Sequence, residues 1–161
     1  MIVILMGVAG SGKTTVGRLL ARELAWRFYE GDDFHPRANI DKMQQGTPLT
    51  DNDRWPWLQA LKEVIDACLA QGTNAVMACS ALKQTYQDYL MHGRDEVKLV
   101  YLKGSYDLLS QRLAQRQGHF MPKELLASQF ATLEEPQQGL IVDVAKAPEA
   151  LVAVIRQALQ V

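Results

Sequence analysis

The segment Gly7-Val8-Ala9-Gly10-Ser11-Gly12-Lys13-Thr14 constrains this chain more than any other stretch of it. It fits G-x-x-x-x-G-K-[ST] at every fixed position. Small residues let successive backbone N–H groups curl around phosphate oxygens, and the positive end of a following helix adds to their pull. In such a loop the lysine reaches the β- and γ-phosphates of a nucleotide and the hydroxyl ligates Mg²⁺. Lys13 and Thr14 take those roles here, and all eight residues are candidate nucleotide contacts. The flanks suit the motif. Ile2 to Met6 is a continuous apolar run, as in a strand buried on both faces of a parallel sheet. From Lys13 onward, Val16, Leu19, Leu20 and Leu24 recur at helical spacing. The loop alone does not separate a kinase from a GTPase, an ATPase or a nucleotide-dependent regulator.

The remaining pattern alternates strand with helix. Strands are expected at Arg27 to Glu30, Ala75 to Cys79, Val97 to Leu102 and Leu140 to Val144. Between them, a polar loop broken by Pro36, Gly46 and Pro48 leads to a helix that starts at a Thr50/Asp53 capping box. That helix carries Leu58, Leu61, Ile65 and Leu69 and stops near Gly72. Further helices are expected from Leu82 to Met91, after the cap Ser105, and from Pro148 to Gln160. Such alternation predicts an α/β fold with a parallel sheet covered on both faces. At 161 residues the chain suits one domain.

Charge and cysteine content narrow the partners. With 17 basic and 18 acidic side chains the formal net charge is −1, too balanced to hold nucleic acid or an anionic membrane surface. A small ligand is the expectation. Cys68 and Cys79 are too few for a disulfide scaffold or a four-ligand zinc site and read as buried thiols. Neither a charged leader nor a long apolar stretch is evident, so a cytoplasmic location is expected.

The acceptor side is expected around Gly31-Asp32-Asp33-Phe34-His35-Pro36, just past the second strand, at the carboxyl edge where open α/β sheets bind ligands. A carboxylate there can hold Mg²⁺ through water and take the proton of an attacking hydroxyl, and Asp32 is the choice for both. A solvated acidic turn is the plainer alternative. His35 has three readings: a bond to a sugar hydroxyl, a metal site with Asp32 and Asp33, or packing beside Pro36. Arg54 can fork onto a substrate carboxylate, or pair on the surface with Asp51 or Asp53. Trp55-Pro56-Trp57 reads as core packing more than as a sugar platform, and Lys83 as a contact to substrate or to solvent.

Arg112 and Arg116 are four apart on a helix and share a face ahead of Gln117-Gly118-His119-Phe120-Met121-Pro122. This pattern suits a lid whose arginines clamp ATP and neutralise charge on a transferring phosphoryl group. A solvated basic face is the alternative.

Taken together, the motifs resemble the gluconate kinases, P-loop small-molecule kinases related to shikimate and adenylate kinases. The resemblance runs from the glycine loop through "GDDFHP", "NIDKM", "PLTDNDR", "PWLQAL", "CSALK" and "GHFMP" to "SQFATLEEP". It implies a three-layer αβα P-loop kinase fold with a five-stranded parallel sheet in the order 2-3-1-4-5. A substrate-binding helical region at about 35–71 and a lid at about 116–136 come with it. The implied activity is ATP-dependent, Mg²⁺-assisted phosphorylation of the 6-hydroxyl of D-gluconate, in a cytosolic enzyme that is often a homodimer. A related kinase of another sugar acid or of shikimate, and a non-catalytic ATP-dependent regulatory module, are the alternatives. Carried over by motif, Lys13, Asp32 and Arg116 form the catalytic set, with Arg112 on nucleotide and His35, Arg54 and Lys83 beside Asp32 on substrate. Two departures stand out. Tyr86-Gln87-Asp88 replaces a Y-R-D pattern, removing any anion contact made there by arginine, and the strand Ala75 to Cys79 lacks a terminal acid, a part that the resemblance gives to Asp32.

Overall fold

The computed structural model describes residues 1–116 and 123–161. Among them, β1 (Ile2–Met6), β2 (Arg27–Glu30), β3 (Ala75–Ala78), β4 (Val97–Lys103) and β5 (Leu140–Asp143) form one sheet. Its order is β2-β3-β1-β4-β5 and every pairing is parallel. The expected order is therefore the observed one. β1 sits in the middle, with Ile4 level with Met77 on one side and Leu99 on the other.

The apolar run of β1 serves two cores at once, because successive strand side chains point to opposite faces. Ile2, Ile4 and Met6 pack with Leu58, Leu61 and Ile65 of α3 (Asp51–Ala70) and with Tyr86 and Leu90 of α4 (Gln84–Met91). Val3 and Leu5 pack on the other face with Val16 and Leu20 of α1 (Lys13–Leu24) and with Leu151 and Ile155 of α7 (Pro148–Leu159). Leu109 of α5 (Tyr106–Gln115) joins that second layer. All five β1 residues are at most 1 % exposed, as a strand covered on both sides requires. The loops that follow these parallel strands all leave at one edge, which gathers the site there.

Two helices lie where periodicity gave no signal. α2 (Arg37–Gln44) occupies part of the expected polar loop. It has almost no apolar stripe; polar ties hold it to the start of α3 instead. Buried Asn39 donates from Nδ2 to the Asp53 carbonyl at 2.7 Å, and Lys42 pairs with the Asp53 carboxylate at 2.8 Å. The Thr50/Asp53 capping box is present as expected. Lys42 and the Thr50 backbone bond pull the Asp53 carboxyl down to about 2. α6 (Lys123–Thr132) lies within the span expected as a lid, and it buries Leu125 and Leu126 against the molecule. The Gln117 to Pro122 part of that lid reading lies outside the described residues. α4 begins at Gln84, two residues later than expected, because Ala81 turns through φ 42° and Lys83 is extended.

Candidate active site

The glycine loop runs from the end of β1 into α1, and three of its residues hold backbone angles that favour glycine. Gly7, Gly10 and Gly12 have φ of 152°, 78° and 91°. Close contacts add to that at two of them. A Cβ on Gly7 would lie 2.8 Å from the Ser11 hydroxyl, and one on Gly10 would lie 3.0 Å from Leu113 of α5. Gly7, Val8 and Ser11 thus shape the loop from beneath, while Ala9, Gly10, Gly12, Lys13 and Thr14 wall a cavity above it.

Lys13 donates from Nζ to the carbonyls of Gly7 and Val8 at 2.9 and 3.0 Å, so its ammonium lies across the loop mouth. Burial lowers its pKa; the negative charges of Asp32 and, less, Glu30 oppose this, whereas Arg116 adds to the lowering. Thr14 donates its hydroxyl to Glu30 at 2.5 Å. Sequence reasoning missed Glu30. Its signal was only an acid at the carboxyl end of an expected strand, and that acid stands where β3 has none: Glu30 is in register with Ala78. A threonine hydroxyl beside Glu30, with Asp32 in the same cavity, is a hard oxygen donor set that fits Mg²⁺. The glycine-lined loop with Lys13 and Arg116 fits the phosphates of a nucleotide. Cys79 is buried and inert, its thiol pushed up to about 12 chiefly by desolvation.

The acceptor wall is held by one close backbone approach. After β2 the chain enters a 3-10 turn, Gly31–Phe34, and a Cβ on Gly31 would fall 2.3 Å from the Ala78 carbonyl. Only glycine lets the turn press that tightly on β3. Buried Trp57 then donates from Nε1 to the Gly31 carbonyl at 2.7 Å, fixing the turn from the α3 side. Asp32 and His35 both face the cavity as a result. The His35 ring stacks on Trp57 with centroids 4.3 Å apart, rather than resting on Pro36, and its Nδ1 lies 3.2 Å from Asn39 Nδ2. Desolvation lowers His35 to about 4; Asp32 opposes the shift and Arg54 adds to it, so the ring is neutral near pH 7. Among the described residues no group of three His, Cys, Asp or Glu side chains is placed to hold a metal, which removes the three-ligand reading of Asp32, Asp33 and His35.

Arg54 also lines the cavity. Neither acid expected to pair with it does so. Asp53 is taken by Lys42, and Asp51 accepts from Lys83 at 2.8 Å and, in a very short bond, from Tyr86. Arg54 instead donates to the Tyr86 hydroxyl at 3.4 Å and lies over that ring. Lys83 is not part of the cavity wall; the structure makes it the ion-pair partner of Asp51, behind Arg54. The tryptophan pair divides: Trp57 is core, whereas Trp55 is 39 % exposed and meets Tyr86 and Tyr89 edge-on.

On the lid side, Arg116 reaches the cavity and Arg112 does not. Arg112 donates to the Val144 carbonyl at 2.5 Å, in the segment after β5. The two arginines are separated because α5 ends at Gln115 and Arg116 is extended, so the four-residue spacing no longer keeps them on one face. Gln87, at the departure from the Y-R-D pattern, is fully buried and donates to the carbonyls of Ala81 and Glu134 at 3.1 and 2.9 Å. It braces the start of α4 and is not among the cavity-lining residues.

The family model of the AAA domain matches residues 2–136. A probable gluconokinase of Mus musculus is 44 % identical, with 99 % of this chain and 97 % of that protein covered. The thermoresistant gluconokinase of Escherichia coli (strain K12) is also 44 % identical, covering 94 % and 89 %. Among solved structures, a gluconokinase from Sinorhizobium meliloti 1021 is 41 % identical and superposes with a TM-score of 0.84, covering 98 % of this chain and 94 % of that one. A shikimate kinase from Aquifex aeolicus vf5, 18 % identical over 99 % and 96 % of the two chains, shares the fold with a TM-score of 0.69. With a phosphate loop, a clamped acidic turn and an arginine that has no carboxylate partner among the described residues around one cavity, and with relatives of this closeness along nearly its whole length, the chain belongs to the gluconokinase family.

Proposed function

We propose that this chain catalyses phosphorylation of the 6-hydroxyl of D-gluconate, giving 6-phospho-D-gluconate and ADP. One observation carries the reading beyond kinship: a single cavity is walled by Lys13 and Thr14 on one side and by Asp32, His35 and Arg54 on the other. Donor and acceptor ends of a phosphoryl transfer would meet there.

ATP with Mg²⁺ supplies the transferable phosphoryl group when bound. The glycine loop orients phosphates through its N–H groups, and the Thr14 hydroxyl with Glu30 and Asp32 supplies oxygen donors for the ion. Asp32 would take the proton of the acceptor hydroxyl at its carboxylate as that oxygen bonds the γ-phosphorus and the phosphorus–oxygen bond to the leaving ADP breaks. Lys13 and Arg116 present positive charge where negative charge spreads over the group in flight. Neutral His35, fixed on Trp57, can hydrogen-bond a sugar hydroxyl. Arg54, free of any carboxylate partner among the described residues, is the counter-charge for the gluconate carboxylate. For Arg112 and Lys83 the proposal is narrower: each is bonded to protein, and each acts through the element that it holds. A homodimer and a cytoplasmic location belong to the same proposal; among the described residues no helix is long and apolar enough to cross a membrane.

The test is a coupled ADP-release assay with gluconate, shikimate, other sugar acids and an uncharged polyol as acceptors. Turnover confined to gluconate is the expected result. ADP release that ignores the acceptor, or that prefers shikimate, would overturn the reading.

A further inference from the structure

The phosphate loop has a polar partner from the far end of the chain. Gln129 of α6 accepts a hydrogen bond at Oε1 from the backbone N–H of Ala9, the third residue of the loop, at 2.7 Å. Ala9 and Gln129 are both in the cavity wall, with Lys13, Asp32 and Arg116. A backbone N–H only donates, so the atom that faces it must be the amide oxygen. That choice fixes the side chain. The planar amide then holds its NH₂ group away from Ala9, and among the described residues this NH₂ has no hydrogen-bond acceptor.

The support beneath Gln129 is firm. Leu126, one turn earlier in α6, is 1 % exposed and packs in the core layer that includes Val8 and Leu82. Past the helix, Glu134 donates from its backbone to the Leu82 carbonyl at 2.7 Å and accepts from buried Gln87 at 2.9 Å. Its carboxylate accepts from the Gln84 N–H at 3.2 Å. One bond to the β3–α4 connection and two to α4, on top of apolar packing, anchor the segment after α6 there while Gln129 ties the helix to the phosphate loop. A polar group held this way is preorganised, and a preorganised neutral donor stabilises developing negative charge without reorganising.

Building on the kinase reading, we infer that Gln129 is a further active-site residue: its oxygen is fixed by Ala9, and its NH₂ donates to the terminal phosphate of the bound nucleotide. Lys13 and Arg116 provide charge there; Gln129 provides direction.

Two variants and two readouts test this. Gln129→Glu keeps an oxygen for Ala9 but replaces the NH₂ with a second oxygen, whereas Gln129→Ala removes both groups. Affinities for ADP and for a non-hydrolysable ATP analogue, each with Mg²⁺, are measured by calorimetry, and kcat is measured with gluconate. Both variants are expected to lose roughly tenfold of the preference for the triphosphate, with ADP affinity within about threefold of wild type and kcat down about 10²- to 10³-fold, the range for a lost preorganised donor. Wild-type preference and kcat in Gln129→Glu would leave Gln129 a mere strut and overturn the inference. So would tighter triphosphate binding by Gln129→Ala, which would mean that the side chain fills the place of a phosphate oxygen. The acceptor assignment fails separately: it falls if the wild type does not turn over gluconate, while the nucleotide comparison still decides the role of Gln129.

Discussion

Arg54→Gln tests what selects the acceptor. In the structure Arg54 touches the cavity, has no carboxylate partner among the described residues and makes one long bond, 3.4 Å, to the Tyr86 hydroxyl. Losing so little internal bonding should change stability by no more than about 0.5 kcal/mol. Its cost to catalysis should be larger. A charge-assisted bond lost from a partly desolvated site is worth roughly 1.5 to 3 kcal/mol, or about ten- to a hundredfold in kcat/KM. The loss should fall on gluconate and spare an uncharged polyol, because only gluconate brings a carboxylate. Measuring kcat/KM for both acceptors on both proteins, with ATP affinity and Tm as controls, separates lost charge recognition from general damage to α3. Should the wild-type ratio of gluconate to polyol survive in the variant, the carboxylate is bound elsewhere and the argument from Arg54 fails.

Other expectations follow from the same geometry. Asp32→Asn should lower kcat by two or more orders of magnitude, about the contribution of a positioned general base, and should change the KM for ATP far less; a defect confined to ATP affinity would reassign the residue. His35 is lowered to about 4 from 6.5, so its neutral form contributes stability that is complete above the unfolded value and is lost as pH falls through about 4. After discounting for its solvent-facing edge, wild type should lose about 1 to 1.5 kcal/mol more than His35→Gln between about pH 7 and pH 4.5, and parallel Tm–pH curves for the two proteins would contradict this. Trp57→Phe should cost about 1 to 3 kcal/mol by orphaning the buried Gly31 carbonyl; denaturant unfolding gives the number, and a change within error would mean that the turn finds another donor.

Much of the frame was readable because it rests on strong local signals. The run Ile2 to Met6, the glycine loop and the stripe of α1 fix a strand, a turn and a helix before any tertiary contact is known. The Thr50/Asp53 box marks the start of α3 for the same reason. What escaped depends on long-range partners. α2 is held by Asn39 and Lys42 reaching α3, and no periodicity announces bonds of that kind. Glu30 becomes a partner of Thr14 only once β2 is placed two strands from β1. Lys83 and Arg112 carry charge suited to ligand binding, yet Asp51 and the Val144 carbonyl hold them. Gln129 lies in the "SQFATLEEP" stretch that carries the resemblance, yet its role had no local signal: an amide 120 positions from Ala9 is recognised as a loop partner only through the bond between them.

The central position of β1 has a consequence for how the chain is made. Its partners are β3 at residues 75–78 and β4 at residues 97–103, so the first strand emerges from synthesis long before either edge can be paired. Pairing that is parallel and distant in sequence forms slowly, and an unpaired apolar strand is open to association with other chains until it does. The residues that would grip phosphate are therefore made before either partner strand and ordered late. A chain truncated just after Ala78 would carry the whole glycine loop with β1 open along the side that β4 covers. Such a fragment should aggregate instead of binding nucleotide, and the window of risk during synthesis closes only when Lys103 has cleared the ribosome.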